Sequence, residues 1–193
     1  MRALPQQRSR MHKLSIQRGD LWVEHSHPPE YRTQITSGGT ERLVAGVPAG
    51  DSIVIKRLTA ELPAPFFLLY VLHTTRGEGE PGRYQSPEID HAGLDRFLSS
   101  YGPLLSGDSR HDFWVYAPDI KATLVWDRHN LLYAYGPIDE FVQALRALGF
   151  NEGNPNVSFG HLHHYRQEFD ADAKSLLAAL PWVYSPLRPE DEQ

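Results

Sequence analysis

The residues with the most chemistry to offer are histidines. His161, His163 and His164 fall within four positions, and Glu168, Asp170 and Asp172 follow closely. On an extended strand, residues i and i+2 point to the same face. His161 and His163 would then present two imidazoles side by side, while His164 points the opposite way. Two imidazoles and a carboxylate are a sufficient ligand set for Zn, Mn or Fe. Asp170 is the carboxylate chosen here, with Glu168, Asp172 and the distant His73 as alternatives. The plainer reading of the same stretch is a polar strand edge running into a helix, because Asp170 also suits a helix cap.

A second pair, His25 and His27, has the same spacing and is the next candidate for a metal. One arrangement brings it against His161 and His163 across a sheet. Read from Gly19, the string runs Gly, five residues, His, one residue, His. Here the sequence resembles the first motif of the cupin family, metal-binding β-barrels in which those histidines, a following Glu and a later His hold the metal. The resemblance covers about 35 residues. Only two residues separate His27 from Glu30, where the family has three or four. Pro48-Ala49-Gly50 is similar to the turn of the second motif, but Ile53 stands where that motif has its His. The helices expected downstream also fit such a barrel poorly. The family's activity is therefore not carried over.

Other strings carry less. Gly77-Glu78-Gly79-Glu80-Pro81-Gly82 fits G-x-G-x-x-G, whose mechanism needs a helix starting at the glycines with free N–H groups aimed at a pyrophosphate. Glu78 and Glu80 would repel phosphate, Pro81 removes a donor, and no helical pattern begins before Asp90. No dinucleotide is expected. There is no G-x-S-x-G, S-x-x-K, P-loop or H-E-x-x-H. The chain has no Cys, which excludes thiolate metal sites and cysteine nucleophiles and suits a reducing compartment. Asp127-Arg128-His129-Asn130 reads as a hairpin turn, with His129 as a solvated tip.

Charge narrows the partners. The first 18 residues carry five bases and no acid, and the rest of the chain carries a net −10, for −5 in all. An acidic body argues against general nucleic-acid binding, which needs a basic face to displace counterions. It suits a basic protein partner. No apolar run approaches the roughly 20 residues that span a bilayer, and the N-terminus lacks an apolar signal core. A cytoplasmic protein with no membrane association is expected.

These residues need elements to position them. With 193 residues, 15 Gly and 15 Pro, the chain suits one domain of short elements. We expect a disordered basic arm over 1–13, a single domain over 14–187 and an acidic tail over 188–193. Residues 14–61 read as a β-rich extension, including strands at 42–47 and 52–58. Residues 62–187 read as β-α-β-β-β-α-β-α. Asp90 can cap a helix with Leu94, Phe97, Leu98 and Tyr101 on one stripe, ended by Gly102-Pro103. Residues 112–117, 122–126 and 131–135 read as strands, 138–148 as a helix, 156–165 as a strand and 170–180 as a third helix. The expected fold is α+β: a mostly antiparallel sheet with about three helices packed on one face. A ferredoxin-like core with extra N-terminal strands is one wiring.

Two functions compete on this reading. The first is a non-catalytic, partner-binding domain, immunity-like or regulatory, using Arg83 and Tyr84 of the 76–89 loop and the strand aromatics Trp114 and Tyr116. The second is a metal-dependent enzyme, hydrolase-like or oxygenase-like, built on His161 and His163.

Overall fold

A computed structural model describes residues 11–191. Most of the arm expected over 1–13, and the last two residues of the expected tail, lie outside them. What is described of both belongs to the folded body. Lys13 is fully buried, and the turn Pro189–Asp191 places Asp191 in an ion pair with Arg83.

The chain runs β1 (Leu14–Arg18), β2 (Leu21–His25), β3 (Glu30–Ile35), β4 (Glu41–Gly46), α1 (Ile53–Thr59), β5 (Phe67–Leu72), β6 (Gly82–Gln85), α2 (His91–Gly107), β7 (His111–Ala117) and β8 (Ala122–Trp126). It continues with β9 (Leu131–Tyr135), α3 (Ile138–Ala147), β10 (Asn151–Glu152), β11 (His161–His163), α4 (Asp170–Ala178) and β12 (Val183–Ser185). Nine strands form one sheet in the order β10-β3-β4-β9-β8-β7-β5-β6-β12. It is antiparallel except where β10 meets β3. A second, three-stranded antiparallel sheet has the order β11-β1-β2.

Period-two patterning sets the layers. Along β7, Phe113, Val115 and Ala117 are buried, while Asp112, Trp114 and Tyr116 turn to the other face. The buried face of the large sheet meets Val54, Ile55 and Leu58 of α1, Leu94, Phe97 and Leu98 of α2, Phe141 and Leu145 of α3, and Leu176 of α4. Each such side chain contributes about 1.5–3 kcal/mol. Helices on one face of a mostly antiparallel sheet are the α+β architecture read from the sequence, with four helices in place of three. The wiring is not ferredoxin-like: β7, β8 and β9 form a meander, and β5 pairs with both β7 and β6. Among the described residues, no helix is long and apolar enough to cross a membrane.

Several elements differ from expectation, and β6 forms inside the expected 76–89 loop. Residues 53–59 are helical, although Ile-Val-Ile is β-branched, because Val54, Ile55 and Leu58 make one buried helical face. Helix α2 continues through Pro103 to Gly107, and burial of Leu104 and Leu105 offsets the hydrogen bond that proline removes. Of residues 156–165, only His161–His163 form a strand, paired with β1. Asp90 does cap α2, its carboxylate accepting the Gly93 N–H at 2.7 Å. The 75–82 loop is pinned, since the Glu78 carboxylate pairs with buried Arg110 at 3.0 Å.

Candidate metal centre

The β8–β9 hairpin builds one half of the site. The Asp127 carboxylate folds back over its own turn: one oxygen accepts the N–H groups of His129 and Leu131, each at 2.8 Å. The other lies 2.9 Å from Nδ1 of His129. A carboxylate can only accept here, so Nδ1 carries the proton and Nε2 keeps its lone pair. Burial alone would raise the Asp127 pKa, but the His129 imidazole, the Leu131 N–H and Lys13 outweigh it and hold the carboxyl below its usual value. Asn130 closes the turn with φ 59°, a left-handed conformation that Asn tolerates.

Strand β11 builds the other half. His161 and His163 share one face, with ring centroids 5.2 Å apart. Nδ1 of His161 lies 2.9 Å from the Phe159 carbonyl, which fixes the proton there and again leaves Nε2 free. Nδ1 of His163 is buried without a partner. Burial, followed by the charges of His129, His161 and Arg128, lowers its pKa to about 4, so the ring is neutral and able to ligate at neutral pH.

The two halves meet. The His129 ring lies 5.3 Å from that of His161 and 4.9 Å from that of His163. One nitrogen from each of His129, His161 and His163 falls within 4.8 Å of the other two. A tetrahedral shell with bonds of about 2.0–2.1 Å sets such nitrogens about 3.4 Å apart. The rings therefore close by little more than about an ångström to hold an ion.

The sequence-derived candidates divide. His161 and His163 are brought together, and His164 points away, its Nε2 2.8 Å from the Ser15 hydroxyl. Asp170 is not with them: its carboxylate pairs with Arg76 at 2.9 Å and Arg110 at 3.1 Å. Two fixed guanidinium groups, one of them buried, claim that carboxylate at the start of α4. His73 is held by Asp112 at 3.0 Å. The third imidazole is His129, expected from the turn motif as a solvated tip. Its one local signal was Asp127 two residues earlier, the right reach for a carboxylate–imidazole pair.

His25 and His27 flank the cluster. Nε2 of His27 donates to the His129 carbonyl at 2.8 Å. The His25 ring meets the rings of His27 and Phe159 at 4.7 and 4.9 Å. Burial and then His27 lower the His25 pKa to about 4. Among the candidate partner contacts, Trp114 and Tyr116 lie on the face of the large sheet away from the helices, Tyr116 exposed and Trp114 half-buried. Arg83 lies over the Trp114 ring. Tyr84 faces the core side instead, its hydroxyl donating to the Glu80 carbonyl at 2.7 Å.

The chain matches no family model, no curated protein and no solved structure with which it was compared. The cupin resemblance gains no support from these comparisons, and the site is read from its own geometry.

Proposed function

We propose that this protein is a metal-dependent enzyme whose divalent transition metal, Zn, Mn or Fe, is held by His129, His161 and His163. The observation that carries this reading is the convergence of three imidazoles from two separate sheets, His129 among them oriented by the partly buried carboxylate of Asp127. A carboxylate behind a histidine ligand fixes its tautomer and raises its basicity. Three neutral ligands would leave the charge of a divalent ion uncompensated, and water or substrate could complete its shell. Such an ion lowers the pKa of its water toward about 7 and polarises a bound carbonyl or phosphoryl oxygen. Hydrolysis is the reaction class that follows.

Elemental mass spectrometry of protein purified without a histidine tag tests this. We expect about one Zn, Mn or Fe per chain, and its loss in folded His129→Ala and His161→Ala/His163→Ala variants. Protein that carries no metal and takes up none when it is added would overturn the reading. For the catalytic step, a p-nitrophenyl ester should be hydrolysed by the loaded wild type and not by the variants.

The partner-binding reading keeps one supporting observation. Phe67, Leu69, Trp114 and Tyr116 line an apolar hollow of about 500 Å³ on the sheet face away from the helices. Aromatic anchors of this kind are typical of interfaces. A pulldown with the Trp114→Ala/Tyr116→Ala variant as control would report on a stoichiometric basic partner.

A further inference from the structure

The ligands of the proposed centre come from two sheets that share no strand pairing. His129 sits in the β8–β9 turn of the large sheet, and His161 and His163 sit in the small one. Strand β11 is only three residues long and pairs with β1 alone. The distance between the halves therefore depends on the few contacts that join them. One joint is the bond from His27 to the His129 carbonyl.

Another joint, the one that touches both ligand-bearing segments, is a buried junction of Lys13 and Ser109. The Lys13 carbonyl accepts the N–H of His164 at 2.8 Å, one residue beyond His163. Its ammonium donates to the Asp127 carbonyl at 2.8 Å, two residues before His129. The Ser109 hydroxyl lies 2.7 Å from the Lys13 carbonyl and 3.1 Å from that of Arg128, sharing its single hydrogen between them. The Ser109 N–H donates to the His164 carbonyl at 2.9 Å. Lys13 and Ser109 thus each touch both ligand-bearing segments. Both are buried, at 0% and 1% exposure.

A buried ammonium is costly to desolvate, and here it stands against carboxylates. Burial pulls the Lys13 pKa down to about 8 against the opposing pull of Asp127, Asp112 and Asp108. Its charge lies 5.1 Å from the centre of the Trp126 ring. Removing the ammonium alone would spare that desolvation but leave Asp127, Asp112 and Asp108 without its countercharge, which carries a stability cost of its own.

We propose that Lys13 and Ser109 are positioning residues that set the spacing between His129 and the His161/His163 pair, and so set the metal affinity of the centre. This rests on the metal reading above. Neither residue touches the ion. They act by holding two polypeptide segments at the separation a three-imidazole shell requires, where small displacements of ligands are felt strongly.

The test uses Lys13→Met and Ser109→Ala in the full chain, with Zn affinity measured by chelator competition and geometry by the visible absorption of the Co-loaded protein. We expect Zn binding to weaken about 10-fold in Ser109→Ala and up to about 100-fold in Lys13→Met, the range seen for supporting residues around metal ligands. The Co spectrum should change in both, whatever the cost of either substitution to the metal-free midpoint. A merely structural role would lower the metal-free midpoint while leaving affinity and spectrum as they were. That result overturns the proposal. If Lys13→Met does not fold, Ser109→Ala, which removes a single oxygen, decides alone. A wild-type protein that takes up neither Zn nor Co removes the metal reading itself, and this proposal with it.

Discussion

Asp127 performs two tasks with one carboxylate, and substitution can separate them. Asn at this position keeps an oxygen for the N–H groups of His129 and Leu131, so the turn can persist. Its amide N–H would face the Nδ1–H of His129, donor against donor, and the ring would lose its orientation. Asp127→Asn should weaken metal binding about 10- to 100-fold while costing about 1–3 kcal/mol of stability; chelator competition and denaturant unfolding measure the two separately. The neighbouring imidazoles add a pH dependence. His163 and His25 titrate near 4 in the folded chain and near 6.5 when unfolded. The unfolded chain therefore binds the protons first as pH falls. Stability of the metal-free protein is held above about pH 6.5 and is lost progressively down to about pH 4. Denaturation midpoints at pH 7 and pH 5 should differ by less in His163→Asn than in the wild type. The His161/His163 pair was legible because spacing within one strand is local. His129 was not, because its meeting with that pair depends on how two sheets are placed against each other. Asp170 misled because a carboxylate near histidines looks like a ligand until Arg76 and Arg110 are known to claim it.

At the level of elements, strands with clean alternation were legible and elements decided by tertiary packing were not. Strands β8 and β9 and the turn between them follow from apolar alternation around a polar tetrad. Helix α1 was read as a strand because Ile53, Val54 and Ile55 favour extended backbone on propensity alone. The large sheet offered a helix-shaped surface, and packing overrode that preference. The path of the chain from β2 to β3 rests on a close approach that only glycine permits. A Cβ on Gly46 of β4 would lie 2.6 Å from Cβ of His27 and 2.8 Å from the Pro28 carbonyl. Gly46→Ala should push His27 off the His129 carbonyl and cost about 1–3 kcal/mol through overpacking. Denaturant unfolding reads the stability. The chemical shifts of the His129 ring should move with it, which a purely local strain at Gly46 would not produce.

Taken as a whole, the molecule is two sheets joined at a polar seam. The larger sheet has its helices and a continuous apolar core to stabilise it. The smaller one, β11-β1-β2, presents Leu21, Trp22 and Leu162 to solvent and is joined to the larger by Lys13, Ser109, His27 and the facing imidazoles. An ion bound by His129 on one side and by His161 and His163 on the other would join the sheets directly. It would bind the folded chain and not the unfolded one, since distant ligands are dispersed when the fold is lost. At a metal concentration about 100 times the dissociation constant, that linkage stabilises the fold by about 2.7 kcal/mol. For a chain of this size, the thermal midpoint should rise by roughly 5–10 °C. Differential scanning calorimetry with and without Zn measures the shift, and hydrogen exchange locates it. Protection should increase at β1, β2 and β11, whose opening the ion would oppose, and hardly at all in β5 or α2 at the centre of the core. A midpoint that rises equally in the His129→Ala variant would place the ion elsewhere, because one imidazole fewer leaves the two sheets without a shared ligand shell.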